Sequence, residues 1–328
     1  MNTYIFRLVF PYGVRFGADT PGIGLEKASY TCHSDTVFSA LCCEASKAGE
    51  EKLKAFLETA KSGELLISGL MPYKEDSHYI PKIAFKASGT DEATEDIAFR
   101  KKARNAAKLM KKMTHFPLYD LDVILDYYRG KFVDKLDDII ISQLSIETKV
   151  SLAKGVPEPY FVGSYYIRDD CGLYFIAKAS DRGYRILEEL LDSLSYSGLG
   201  GKVSAGYGRF EIADKVCLKQ EGNKYDLDIL YGLLNDETAP YQVSLSTLIP
   251  SENEVDDAID SAIGYTLVRR AGFANISENT PHKKKTVIMF GQGSCFSTRI
   301  KGTIVDVPPA DGIPALRYGK GFFLGVRM

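Results

Sequence analysis

The chain lacks the marks of several large function classes. Its six cysteines (Cys32, Cys42, Cys43, Cys171, Cys217, Cys295) form no Cys-x-x-Cys pair. That spacing argues against zinc and disulfide frameworks and fits a reducing cytoplasm. The four histidines are dispersed, so no metal site is expected. No apolar run is long enough to cross a bilayer. The opening residues, MNTYIFRLVF, lack the basic, apolar and small-residue layout of a signal peptide and read as a strand. Both phosphate-loop patterns of nucleotide enzymes fail. A Walker A loop requires Ser or Thr after Gly-Lys, and Lys202 is followed by Val203. A dinucleotide fingerprint requires a glycine loop that opens a helix; here the glycines follow a helical pattern and enter a strand-like one. No cofactor is therefore expected. Net charge is only −2, whereas a protein that coats nucleic acid alone is usually more basic. Local charge is nevertheless uneven, and local charge is what a phosphate feels across a Debye length.

Glycine and clustered cations are what the sequence does have. Gly198-Leu199-Gly200-Gly201-Lys202-Val203-Ser204-Ala205-Gly206-Tyr207-Gly208-Arg209-Phe210 holds five glycines. Glycine reaches backbone angles closed to other residues and lets a ligand approach the main chain. Unshielded N–H groups of this kind form anion-binding nests. Lys202 and Arg209 add charge, Ser204 adds a hydroxyl, and Tyr207 offers a ring face. The same composition also marks a tight turn or bulge.

A second cluster lies in Arg100–Met113, with seven basic residues and no acidic one. At about 100° per residue, Arg100, Lys101, Arg104, Lys108, Lys111 and Lys112 share one side of a helix. Ala103, Ala106, Ala107, Met110 and Met113 lie opposite. Such a stripe is either a solvated face or a contact for nucleic acid. Its apolar side has no aromatic residue, which argues against a membrane-surface helix.

His33-Ser34-Asp35-Thr36 precedes a helical pattern. His33 there is a general acid or base for RNA cleavage, a phosphate ligand at the helix N-terminus, or part of a cap. Arg269-Arg270-Ala271-Gly272-Phe273, Lys283-Lys284-Lys285 and Arg317-Tyr318-Gly319-Lys320-Gly321 are basic clusters in the second half. Two of them combine a guanidinium with an aromatic ring and glycine, a set suited to stacking on unpaired bases. Tyr127-Tyr128 and Tyr165-Tyr166 read as packing or interface residues.

The periodicity predicts strands over 3–10, 65–70, 160–167, 172–178 and 207–216, with 160–167 and 172–178 paired as a hairpin, and helices over 34–48, 50–60 and 186–194. The order β-α-β, insertion, β-α-β matches a ferredoxin-like unit, the layer pattern of RNA-recognition modules. The predicted class is α+β: a first ferredoxin-like domain over 1–216 with an insertion at about 71–149, and a smaller one over 217–328. The second predicts strands over 242–248, 265–270, 286–290, 302–307 and 322–326.

Five segments carry a resemblance: Ser34 to Leu41, Ala153 to Tyr174, Gly198 to Phe210, Arg269 to Cys295, and Arg317 to Lys320. Through them the chain resembles the 5′-handle-binding RAMP subunit of type III-A CRISPR (Csm) effector complexes. The resemblance implies two ferredoxin-like RAMP domains with a thumb-like insertion and no catalytic activity. It implies a role in antiviral defence as an RNA-binding subunit that holds the CRISPR RNA (crRNA) 5′ handle. The partners implied are the large cyclase–nuclease subunit, the repeated RAMP backbone subunit, and target RNA near the handle–guide junction. Carried onto this chain, Gly198, Gly200, Gly201, Lys202, Ser204, Gly206, Tyr207, Gly208 and Arg209 would cradle the handle. His33 and Ser34 would line the same groove. Arg270, Gly272, Phe273, Lys283, Lys284 and Lys285 would continue it, and Arg317, Tyr318 and Lys320 would close it. Arg100, Arg104, Lys108, Lys111 and Lys112 would face RNA from the thumb. His33 also stands where related RNA-processing nucleases can carry a catalytic histidine, so a precursor-RNA endonuclease is the alternative. A pure protein scaffold is a second.

Overall fold

The structure is a computed structural model that describes residues 1–17, 24–85, 97–131, 133, 140–152, 157–275, 281–309 and 314–327. In the first half, chain order is β1 (Asn2–Val9), β2 (Phe16–Gly17), β3 (Ala28–Ser29), α1 (Ser34–Ala48), α2 (Glu50–Ser62), β4 (Leu65–Ile67), β5 (Met71–Lys74) and β6 (Ser77–Pro81). Then come α3 (Ile97–Lys112), β7 (His115–Pro117), α4 (Leu121–Tyr128), β8 (Ser142–Ser151), β9 (Glu158–Ile167), β10 (Cys171–Ala179), α5 (Asp181–Ser197) and β11 (Glu211–Cys217). The second half holds α6 (Leu227–Asn235), β12 (Tyr241–Ser244), α7 (Val255–Ser261), β13 (Ala262–Gly264), β14 (Leu267–Arg270), β15 (Phe273–Asn275) and β16 (Pro281–Lys283). It ends with β17 (Val287–Phe290), β18 (Cys295–Phe296), β19 (Gly302–Asp306), β20 (Leu316–Lys320) and β21 (Phe323–Val326).

β10 is central because it is apolar on both faces. Leu173, Tyr174, Phe175, Ile176 and Ala177 are all fully buried, the run expected of a strand covered on each side. It pairs antiparallel with β1, β4 and β5, and the main sheet runs β11-β1-β10-β5-β6-β7, with β4 also on β10. One face presents Phe6, Leu8 and Phe175 to Val37, Phe38 and Leu41 of α1 and to Leu187, Leu190 and Leu194 of α5. Those helix positions recur at three-to-four spacing, which turns one stripe to the sheet. Ser180 caps α5 by accepting from the Gly183 amide (3.1 Å).

The opposite face of the sheet buries Ile5, Tyr174 and Ile176. It packs against Met110, Phe116 and Ile124 on one side, and Leu230, Val243 and Leu324 from the second half on the other. The halves therefore share a continuous core. The second half centres on a four-stranded sheet ordered β13-β18-β12-β21. The β19–β20 hairpin lies between β18 and β21 and packs on α1 through Tyr318, whose hydroxyl accepts from the Ile67 amide (3.0 Å).

Two expectations are corrected. β9 and β10 form no hairpin: β9 pairs along ten positions with β8, while β10 joins the main sheet. Residues 168–170 connect them, but the two-sided apolar run of β10 belongs at a sheet centre, whereas β9 is buried only over Val162–Ser164 and belongs on a half-exposed ribbon. The segment from Met71 is also not wholly an excursion, since β5, β6 and β7 widen the main sheet. The long antiparallel element of this region is instead the β8–β9 ribbon, whose Leu144, Ile146, Val150 and Phe161 are exposed. Part of the expected insertion, residues 86–96, 132 and 134–139, lies outside the described residues.

Candidate functional site

α1 begins at a charge cluster that neither half builds alone. Asp35, in its first turn, is completely buried. Its Oδ2 accepts from Arg270 Nε (3.0 Å) and from Arg317 Nη1 (2.6 Å), both delivered by the second half. Arg270 Nη2 also donates to Thr36 Oγ1 (2.8 Å), and Arg317 Nη2 donates to the Ala271 carbonyl (3.3 Å). Burial pushes the Asp35 carboxyl up, but Arg270 and Arg317 override it and hold it below the ordinary range. Two guanidiniums thus converge on one carboxylate beside the partial positive charge of a helix N-terminus.

His33 is the N-cap of α1 and makes no side-chain cap bond. Its Nδ1 donates to Gln292 Oε1 (3.1 Å), and Gln292 Nε2 donates to the Leu245 carbonyl (2.9 Å). A cleft of about 260 Å³ opens here, lined by His33, Thr36, Arg269, Arg270 and Gln292 and floored by Phe16 and Gly17. Ser34 faces inward instead: it is fully buried, and its Oγ accepts from the Thr247 amide (3.0 Å). Ser34 thus ties α1 to the second half and does not line the cleft.

The glycine loop abuts the same floor. The Gly201 amide donates to the Arg15 carbonyl (2.8 Å), and a Cβ on Gly200 would stand 2.7 Å from that oxygen and 3.0 Å from the Phe16 ring. A Cβ on Gly208 would fall 2.1 Å from the Leu199 carbonyl. These glycines serve close backbone packing. The amides of Gly198, Leu199, Gly201, Ala205, Gly206, Gly208 and Phe210 all donate to backbone carbonyls, so the expected broad nest shrinks to the segment around Lys202, Val203 and Ser204. Lys202 there adopts a left-handed backbone (φ 62°), a strained state for a side chain with a Cβ. It is exposed, with Nζ 5.2 Å from the centre of the Tyr160 ring. Ser204 is exposed beside it.

The remaining expected residues divide. Tyr207 is buried and donates its hydroxyl to Glu147 Oε1 (2.6 Å), pinning the loop to the β8–β9 ribbon, so its ring is no platform. Arg209 is exposed but lines a separate, wider cleft with Tyr12 and Tyr196. Phe273 is 60% exposed near Gly272, and Lys283 and Lys285 are exposed. Lys284 is half-buried; burial and Arg317 push its pKa down, and Cys42 and Cys43 of α1 lie close. Arg317 is a structural ion-pair partner, and Tyr318 is a core residue whose ring is tilted against Phe38. Lys320 opens onto a different cleft altogether. The three-residue lid expected from Arg317, Tyr318 and Lys320 is therefore absent: Arg317 is taken by Asp35, Tyr318 on the other face of β20 is taken into the core, and Lys320, the last residue of the strand, lines the second cleft.

On α3, Lys101, Arg104, Lys108, Lys111 and Lys112 are exposed and form no ion pair with described residues. Ala106 and Met110 are buried, but Ala107, expected on the docked side, is exposed. The Arg100 side chain lies outside the described residues. Lys82 Nζ donates to the Met110 carbonyl (2.5 Å), satisfying the helix C-terminus.

Sequence reasoning missed Asp35 as the organiser, along with Phe16, Thr36, Gln292 and Tyr160. Asp35 stood only within the His33–Thr36 run before a helix, and Gln292 only within the Arg269 to Cys295 segment. No local pattern marks an ion pair between positions 35 and 317.

Residues 237–326 match the family model described as the CRISPR Csm4 C-terminal domain. A Csm4 protein of the CRISPR system from Streptococcus thermophilus is 31% identical over 328 residues, covering 98% of each chain. The chain belongs to the Csm4 family. A Csm4 relative from Mycobacterium tuberculosis is 27% identical, covering 99% of this chain and 98% of the relative. The fold is similar to a chain of the Csm3–Csm4 subcomplex in the type III-A CRISPR-Cas interference complex, with TM-score 0.63, 18% identity and full coverage of both. It is likewise similar to a chain of a Csm1–Csm4 cassette in complex with AMPPNP, with TM-score 0.58 at 16% identity, covering 100% of this chain and 99% of that one. For this Csm4-family chain those structures carry the fold.

Proposed function

We propose that this chain is a non-catalytic RNA-binding subunit of a type III-A CRISPR effector complex, with the crRNA 5′ handle lying along the cleft at the α1 N-terminus. One observation carries the reading: Arg270 of the Asp35–Arg270–Arg317 cluster and Phe16 line one cleft, and the glycine loop packs on Phe16 through Gly200, two residues before exposed Lys202. A phosphate backbone gains from cations and amides in line without needing sequence readout. Arg269, His33 and Lys202 are the residues that would touch it. Lys283 and Phe273 would extend the track.

The order β11-β1-β10-β4 with α1 and α5 on one face supports a ferredoxin-like domain over 1–216. The order β13-β18-β12-β21 supports a second over 217–328, with the β19–β20 hairpin in place of one helix. The thumb is α3 together with the β8–β9 ribbon, whose exposed apolar side chains would meet RNA near the handle–guide junction. A cytoplasmic complex is the expected setting. The protein partners are the large cyclase–nuclease subunit and the repeated backbone subunit. Exposed Ile259, Ile263, Tyr265, Leu267 and Ile288, beside the acidic α7, suit protein contact better than RNA.

Lys202→Ala with Arg269→Ala should weaken crRNA retention and lower the salt slope by about one per lost phosphate contact. Retention unchanged across a salt titration removes the cleft from the reading. The location of His33 in the cleft keeps the endonuclease alternative testable. Metal-free cleavage of labelled precursor RNA, lost in His33→Ala, would favour it over a binding role.

A further inference from the structure

A second cleft, of about 290 Å³, opens between the two halves at the Thr3 end of β1. Thr3, Lys178 and Leu66 are neighbours across β1, β10 and β4 on the face that buries Ile5 and Ile176. Lys178 thus interrupts an apolar row where that row meets the second half. The opposite wall supplies Ile300 and Phe322, with Arg299, Lys301 and Lys320 around them. One carboxylate, Glu237, lines the cleft, and it accepts from Arg299 Nη1 (3.3 Å). Arg299 Nε is held by Gln242 Oε1 (2.7 Å). That leaves the ammonium groups of Lys178, Lys301 and Lys320. They come from three segments, and none has an ion-pair or hydrogen-bond partner among the described residues. A cleft with low-dielectric walls focuses such charge instead of dispersing it. Cations gathered around an apolar floor at a junction of two lobes fit a small anionic ligand with an apolar body.

We propose that this cleft binds a phosphate joined to a base, at mononucleotide size: the three lysines take the phosphate, and Leu66 on one wall with Ile300 and Phe322 on the other cover the base. The source is either a free mononucleotide or the phosphorylated end of an RNA strand. The site is independent of the α1 cleft, so the two readings fail separately. Calorimetric titration of the full chain with AMP, inorganic phosphate, and short 5′-phosphorylated or 5′-hydroxyl RNA tests it. AMP is expected to bind saturably at low salt and more tightly than phosphate. Lys178→Gln with Lys320→Gln should weaken binding about tenfold or more, since each charged hydrogen bond is worth about that factor. Lys202→Ala with Arg269→Ala should leave AMP binding unchanged. Phosphorylated RNA outbinding AMP, with the hydroxyl form inert, identifies the strand end as the ligand. No saturable binding of AMP or phosphorylated RNA at millimolar concentration overturns the proposal. So does an unaltered affinity in a double variant whose thermal unfolding matches the parent. Loss of a neighbouring subunit with AMP binding unmoved would make the lysines a protein contact and overturn it equally.

Discussion

Asp35 couples the two halves at the level of single atoms. Replacing it with alanine removes the carboxylate shared by two buried or half-buried guanidiniums, and breaking a buried pair in this way costs about 3–5 kcal/mol. Urea unfolding of Asp35→Ala checks this; a loss under about 1 kcal/mol would mean that Arg270 and Arg317 find other partners. The pH dependence has a definite sign. The folded carboxyl is held below its unfolded value of about 3.9. Its stabilisation is therefore complete above that value and disappears as pH falls through the lower folded value. Buried His78 works from the other direction: burial lowers its pKa although its Nδ1 donates to Asp226 Oδ1 (2.6 Å). The unfolded chain then binds more protons below about pH 6.5, so stability should decline as pH drops from neutrality toward the folded value. A melting temperature flat between pH 7.5 and 5 contradicts that assignment. Gly208 has φ of 78° and no room for a Cβ. Gly208→Ala should destabilise by more than about 1 kcal/mol in the same assay.

At the scale of elements, periodicity was informative where one face meets a core. The leucines of α5 and the cationic stripe of α3 were legible because such residues recur with the helix period, and β1 was legible as a strand although Ile5, Phe6, Arg7 and Leu8 are buried without alternation. Pairing was less legible. β9 and β10 looked like a hairpin because only a short turn separates them, but pairing depends on which faces are covered, and that is decided by β1 and β5. The Arg317-Tyr318-Gly319-Lys320 run looked like one RNA-contact set. Strand alternation separates Arg317 from Tyr318, which the core takes up; Lys320 at the strand end lines another cleft, and the partner that claims Arg317 lies 282 positions away. The glycine loop was legible as a motif but not in its energetics, since half of its amides serve the fold. For α3, Lys108→Glu with Lys111→Glu and Lys112→Glu should impair target-RNA engagement more than complex assembly. Pull-down yields that collapse while target binding per complex holds would make α3 a protein-docking element.

Across the whole molecule, the two sheets pack through one shared core, and the charged sites sit at seams where the halves meet. That placement is compatible with the proposed RNA-binding role at a net charge of −2: part of the cationic charge gathers at the seams, and acidic and apolar surface lies elsewhere. The central claim is that one seam, at the α1 N-terminus, holds the single-stranded handle. Photo-crosslinking of handle-labelled crRNA in the purified complex, with peptide mapping, tests it most directly. The account predicts crosslinks clustered in residues 29–36, 198–206 and 269–273; crosslinks confined to other surfaces, with these three segments unlabelled, would contradict it.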